Sequence, residues 1–214
     1  MRFHLLLFFW FLAGVVLVMP AAAQIGDDGG GSGYACVANG GAAPAVRGES
    51  MTAQGSDITV NCLGGIPTAE GALVPSADIT ITFNTQVTSR LLSADLSEAL
   101  LIIDEPGTGI TGPTNTQRLC SGEGGVCSIT GTGSGVGTYD GSPGRPNMFL
   151  GTVTGNAVPF RSVPQDPPAS GSQRIYRFTN IRLNAAALAT PALPMAAVGS
   201  ISSSLMSGPC PAAR

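Results

Sequence analysis

Apolar and polar positions alternate most clearly along Asp78-Ile-Thr-Ile-Thr-Phe-Asn84, where Ile79, Ile81 and Phe83 share one side and Thr80 and Thr82 the other. A period of two marks a strand with one buried face, and β-branched and aromatic residues suit a pleated, half-buried surface. Asp57-Ile-Thr-Val-Asn-Cys62 repeats the pattern. Ala99 to Ile103 is an unbroken apolar run, expected of a central strand covered on both faces. Ser93 to Glu98, just before it, predicts a short helical turn or a loop. Asn147–Val153 and Ala157–Val163 flank Thr154-Gly155-Asn156, a hairpin signal because Gly and Asn tolerate the positive φ of tight turns. Pro159 assigns the second arm to a sheet edge, since proline has no N–H for a second neighbour. Gln173 to Leu183 predicts a further strand, loosely alternating, and a last one is expected near Ala197 to Leu205.

Roughly seven to ten short strands with turn residues between them, and no long amphipathic helix, predict an all-β fold. The expected architecture is an antiparallel β-sandwich, Ig-like or jelly-roll-like, with a partly open barrel as second choice. It occupies residues 34–183. A Gly/Asp-rich leader over 24–33 is expected to be flexible. Residues 184–214 form an Ala/Pro/Ser-rich tail, holding a final strand or ending in truncation.

The start of the chain follows a different pattern. Arg2 and His4 precede an apolar run from Leu5 to Met19, then Pro20 and Ala21-Ala22-Ala23. A basic start, an apolar helix too short to span a bilayer and small residues before a cut predict a secretory signal peptide over 1–23. Leu12-Ala13-Gly14 is followed by Val15 where a lipoprotein signal needs cysteine, and no second apolar stretch reaches spanning length. After cleavage the expected protein is therefore secreted or periplasmic and holds no membrane segment.

Export changes the chemistry on offer. Cleavage after Ala23 leaves 191 of the 214 residues and, with Arg2 gone, moves the formal net charge from −3 to −4. It also removes the only histidine (His4), the only tryptophan (Trp10) and four of the eight phenylalanines, and the chain has no lysine at all. Serine and cysteine hydrolases need a base beside the nucleophile. Without His or Lys, catalysis of that kind is excluded from the mature chain, and no catalytic residue is assigned.

All five cysteines lie beyond the signal peptide, where disulfides are permitted. Cys120 and Cys127 flank a short Gly-rich loop able to close on itself, and Cys36 and Cys62 would tie the first segment to the first clear strand. Sequence alone does not fix the pairing. Cys210 is left over near the end of the sequence. Zinc is the rival use of these cysteines, but the mature chain offers no histidine and no Cys-x2-4-Cys pair.

The acidic residues are the remaining candidates. Ala99-Leu-Leu-Ile-Ile-Asp104-Glu105-Pro106 looks like a Walker B strand, yet that chemistry needs a phosphate-loop lysine. Asp104 and Glu105 are also candidate glycosidase carboxylates, with Glu98 or Asp140 as distant partners. Adjacent strand residues point to opposite faces, so Asp104 and Glu105 do not form such a pair with each other. Asp27-Asp28 and Tyr139-Asp140-Gly-Ser142 offer hard oxygens in Gly-rich loops. Calcium, with Asp104, Glu105 and Asp140 as candidate ligands, is the one metal the sequence leaves open, and otherwise no cofactor is implied. Gly131-Thr-Gly-Ser-Gly-Val-Gly137 lacks the following helix of a phosphate cradle. Arg174, Arg177 and Arg182 are expected to solvate a face or protect an edge, and with an acidic net charge nucleic-acid binding is not expected.

Asp57–Cys62, Ile79–Leu92 and Ser97–Pro106, continued by Val136–Gly141, Gly144–Phe149 and Ile175–Arg182, resemble an N-terminal β-rich domain of secreted surface proteins of Acidobacteria-type soil bacteria. The resemblance covers roughly Cys36 to Leu183. It implies export and a β-rich fold, often ahead of further surface modules, and carries over no catalytic residues. The sequence given stops soon after the resemblance ends, so a stand-alone copy or a truncated frame is expected, and Cys210 leans toward truncation. The functional expectation is a secreted, non-enzymatic structural or adhesive module at the cell surface, presenting loops around Ser121 to Gly144. Its partners would be surface polysaccharide or other extracellular protein modules. The alternative is a secreted carbohydrate-binding or carbohydrate-active protein that uses its acids.

Overall fold

In chain order the strands are β1 (Gln24–Gly26), β2 (Ala35–Gly40), β3 (Ala53–Gln54), β4 (Ile58–Gly64), β5 (Ser76–Thr82), β6 (Leu100–Ile103), β7 (Met148–Leu150), β8 (Ala157–Pro164), β9 (Ala169–Thr179), β10 (Arg182–Leu183) and β11 (Ser200–Leu205). This computed structural model describes residues 24–26, 34–41, 44–105, 116–188 and 200–205. The expected signal peptide, residues 27–33 of the leader and Cys210 lie outside the described residues.

The strands form an antiparallel all-β sandwich. One sheet has six strands in the order β1-β2-β4-β9-β6-β7, the opposing one three in the order β11-β5-β8, and β10-β3 is a small flanking pair. Alternation decides what meets between the sheets. Ile58, Val60 and Cys62 of β4, Tyr176 and Phe178 of β9, and Leu101 and Ile103 of β6 are buried together with Ile79 and Ile81 of β5 and Val158, Phe160 and Val163 of β8. The Phe160 and Phe178 rings join the two sheets, their centroids 5.2 Å apart and tilted by 60°. Tilted pairs of this kind add to the stabilisation from burial itself. Ile102 is buried on the opposite side of β6, as the continuous apolar run predicted.

The structure departs from the sequence reading of the elements in two places. The turn at Thr154–Ala157 forms, with mutual N–H to carbonyl bonds of 2.9 and 3.0 Å and Gly155 at φ 61°. The hairpin pairing reaches one step further, where the Thr152 N–H donates to the Pro159 carbonyl at 2.9 Å, and then the arms part: β7 joins the six-stranded sheet and β8 the three-stranded one. The turn is a corner between layers, because Phe149 and Phe160 are both needed in the core. Second, Gln24–Gly26, within the expected flexible leader, is a strand paired with β2, Ile25 opposite Cys36. An unpaired β2 edge offers backbone partners that composition does not reveal.

Ser93 to Glu98 takes the loop form of the two expected, held by Leu92 and Ser93 N–H groups on the Leu96 carbonyl. The Ser121–Gly144 region is anchored by buried Ile129, Thr138 and Tyr139, while Ser121–Gly124, Gly133, Ser134 and Val136 are exposed. A short 3-10 turn at Glu123–Gly125 sits inside it. The tail does supply a strand: β11 pairs along β5, Ile201 opposite Ile81.

Candidate functional site

The structure pairs Cys36 with Cys62 and Cys120 with Cys127. Cys36 and Cys62 are also direct partners in the β2–β4 ladder. Beyond these staples, the strongest concentration of polar chemistry is internal and centres on Arg174. Residues 174, 176 and 178 of β9 alternate inward, so the guanidinium falls in line with two core aromatics and is only 2% exposed. A charge there is tolerated only if paired and hydrogen-bonded.

Three segments meet that requirement. Nη1 bonds the Asp104 carboxylate at the end of β6. Nη2 donates to the Gly135 carbonyl at 2.7 Å, and Nε donates to the Asp166 carbonyl at 3.0 Å. The Asp166 carboxylate lies 3.8 Å from Nη2. The guanidinium carbon sits 4.5 Å from the centre of the Tyr139 ring, within cation–π range. Gly135 is at φ 71°, and a Cβ there would run into the Pro167 carbonyl oxygen. Only glycine brings this loop close enough for its carbonyl to reach Arg174.

Asp104 extends the ladder with its side chain. Its N–H donates to the Ile175 carbonyl at 2.9 Å, and its Oδ1 accepts the Ile175 N–H at 3.0 Å where a backbone carbonyl would continue a strand. The left-handed backbone at Asp104 (φ 46°) turns the chain so that the carboxylate swings back over β9. Burial pushes the Asp104 carboxyl above the usual carboxylate range, with Arg174 and the Ile175 N–H pulling the other way. Burial works to lower the Arg174 pKa, yet the Asp104 charge and the neighbouring tyrosines leave it above the ordinary value, so the guanidinium stays charged.

Asp166, fully buried, is bonded at every polar atom. Oδ1 accepts the Thr68 N–H at 2.7 Å, Oδ2 accepts the Thr138 hydroxyl at 2.5 Å, and its N–H donates to Tyr139 Oη at 2.9 Å. Tyr139 in turn donates its hydroxyl proton to the Pro164 carbonyl at 3.0 Å. The Tyr34 and Tyr176 hydroxyls are 3.4 Å apart. Burial raises the pKa of all three tyrosines above the ordinary phenol value, most clearly at Tyr139 and Tyr176. Together these bonds fasten the 65–74, 131–139 and 164–168 loops to the central strand β9. The constellation holds charge and loop ends in place, and its acids and phenols are turned away from solvent.

The acids singled out from sequence go to separate partners. Asp104 meets Arg174 inside, whereas Glu105 bonds Arg177 at 2.5 Å on the other face, where Asp57 bonds the same guanidinium at 2.7 Å. Asp140 accepts the Ser142 N–H at 2.9 Å in a local turn, and Glu98 bonds Arg182 at 3.0 Å. Among the described residues no group of three or more His, Cys, Asp or Glu is placed to hold a metal ion. An apolar groove lined by Pro44, Val46, Ala53, Leu183, Ala185 and Leu188 shares no residue with the Arg174 cluster.

Sequence reasoning missed two members of the cluster. Arg174 was expected to solvate a face, but burial overturns this because its partners come from three distant segments. The signal was present in its phase with Tyr176 and Phe178. Arg182 does not share its face: Asn180 at φ 56° ends β9, and Arg182 belongs to the β10–β3 pair. Asp166 lies among prolines (Pro164, Pro167, Pro168) between two strands, and nothing in the sequence marks it. Compared with known protein families, curated proteins and solved structures, the chain finds no match.

Proposed function

We propose that this protein is an exported, non-enzymatic structural or adhesive module whose sandwich is stapled by two disulfides for service outside the cytoplasm. The observation that carries the reading is the inward turn of its reactive groups. Arg174 and Asp166 spend their bonding capacity on the fold's own carbonyls, carboxylates and hydroxyls, leaving a clamp and not a cleft. Disulfides belong to oxidising compartments, and among the described residues no helix is long and apolar enough to cross a membrane. The resemblance to secreted surface domains points the same way. Sugar-binding clefts use exposed aromatic platforms, and here Phe83, Tyr139, Phe149, Phe160, Tyr176 and Phe178 are all buried. That weighs toward protein or cell-surface contact over glycan processing.

The test is expression of the full chain in a secreting host, followed by fractionation, non-reducing mass spectrometry and binding assays on cell walls and polysaccharides. Recovery of the oxidised chain outside the cytoplasm, binding surfaces without turning over glycans, is the expected result. A reduced chain retained in the cytoplasm, or release of sugar from a polysaccharide, would overturn the reading.

A further inference from the structure

Asn39-Gly40 is the sequence's only Asn-Gly pair, and it ends the strand β2. Both residues are exposed. A Cβ built on Gly40 would meet nothing within 4 Å, so the space around its nitrogen is open. The Asn39 carboxamide makes no hydrogen bond among the described residues. Other asparagines are tied down: Asn147 donates to Thr116 and accepts from Arg118, Asn156 donates to Phe83, and Asn180 donates to Glu98. Asn61 donates to Gln173 and Asn184 accepts from Ala187. Asn84 is exposed as well, but the β-branched Thr85 follows it.

We infer that Asn39–Gly40 is a site of spontaneous covalent modification, where the side-chain amide is lost through a cyclic imide and an aspartyl or isoaspartyl residue replaces asparagine. The Gly40 nitrogen gives up its proton and attacks Asn39 Cγ, and ammonia leaves as the five-membered succinimide closes. Water then opens either carbonyl of the ring, giving aspartate or an isoaspartyl linkage with one extra carbon in the backbone. No oxidant or cofactor enters the balance. Glycine favours ring closure because no Cβ crowds the attacking nitrogen and its backbone moves freely.

Strand geometry restrains the reaction, because an extended backbone keeps the Gly40 nitrogen away from Asn39 Cγ. The restraint is weakest at this end of β2. The disulfide holds Cys36, and β1 covers β2 only as far as Val37. Beyond that point β4 is the sole strand neighbour, with Asn39 opposite Thr59 and Gly40 opposite Ile58. Local opening of a strand end needs far less free energy than global unfolding, so ring closure follows fraying of these two residues. The product places a new negative charge on the edge of an already acidic chain. Its isoaspartyl form also displaces the Gly41 N–H from the Asp57 carbonyl, now 2.9 Å away.

The test holds the folded, oxidised full-length chain in mildly alkaline buffer and follows it by peptide mapping and isoaspartyl-specific methyltransferase labelling. The Asn39 peptide is expected to gain the mass difference between an amide and an acid, with isoaspartate in excess, while the Asn84 peptide stays unchanged. Gly40→Ala, which the open surroundings accommodate, is expected to slow conversion roughly tenfold through the added Cβ. Conversion of Asn84 as fast as Asn39 in the unmodified sequence would overturn the inference without reference to any variant. An unchanged rate in a folded Gly40→Ala chain would overturn it as well.

Discussion

Arg174 shows how much one buried charge organises. Removing one partner of a buried ion pair leaves the other charge uncompensated, which typically costs about 3–5 kcal/mol. Arg174→Met keeps the packing volume but removes the positive charge facing the Asp104 and Asp166 carboxylates, and a loss of that size is expected in denaturant unfolding. Arg182→Ala breaks a half-exposed pair with Glu98, so its expected loss is about 0–1 kcal/mol. Equal losses would mean that Arg174 is not the keystone of its loops. The tyrosines give a second residue-scale prediction. Each of the three has its pKa raised by burial, so each contributes stability that is complete below the unfolded phenol value of about 10 and is lost as pH rises above it. Tyrosinate absorbance and loss of circular dichroism should therefore rise together in alkali. Ionisation of Tyr139 or Tyr176 within a still-folded chain would contradict their burial. At this scale the sequence was only partly legible. The phase of Arg174 with Tyr176 and Phe178 was readable, but Asp166 draws its role from Thr68, Thr138 and Tyr139, which only tertiary folding brings together.

At the scale of elements, alternation was a dependable guide where one face is buried, and it failed where the ladder is interrupted. β5 follows its period of two throughout, and β4 does so from Ile58 to Cys62. β8 does not: Ala77 opposes Val163 but Ile79 opposes Phe160, so β8 carries one extra residue against Asp78. The bulge keeps both Phe160 and Val163 in the core, at the expense of a left-handed Ser162 (φ 48°) whose N–H leaves the ladder. The Asp78 carboxylate takes up that N–H at 2.7 Å. Asp78→Ala is expected to cost about 1–3 kcal/mol, the cost of an unsatisfied, part-buried donor. Its effect should fall on the β5–β8 amides in hydrogen exchange and leave the six-stranded sheet protected. Uniform loss across both sheets would show that the bulge is not held locally. The divided turn at Gly155 has the same origin. Local sequence sets the turn, but which sheet each arm joins depends on where Phe149 and Phe160 find space.

For the whole molecule, the two staples connect the fold to its surroundings. The Cys36–Cys62 bond closes a separation of 26 residues and Cys120–Cys127 one of 7. Restricting the unfolded chain by those loops is worth about 3.5 and about 2.4 kcal/mol in the chain-entropy account. Serine replacement of the first pair should therefore cost about 1 kcal/mol more than replacement of the second, measured by reversible thermal or denaturant unfolding. The reverse order would mean that folded-state effects, not loop length, set the contribution of each bond. The sum, about 6 kcal/mol, lies within the range of total stability of an ordinary domain, about 5–15 kcal/mol. Full reduction is then expected to leave the chain at the edge of folding, with a midpoint far below that of the oxidised form. Such a chain is suited to an oxidising environment and poorly suited to a reducing one. An unchanged midpoint after verified reduction would separate stability from the disulfides, and would remove the main physical support for service outside the cytoplasm.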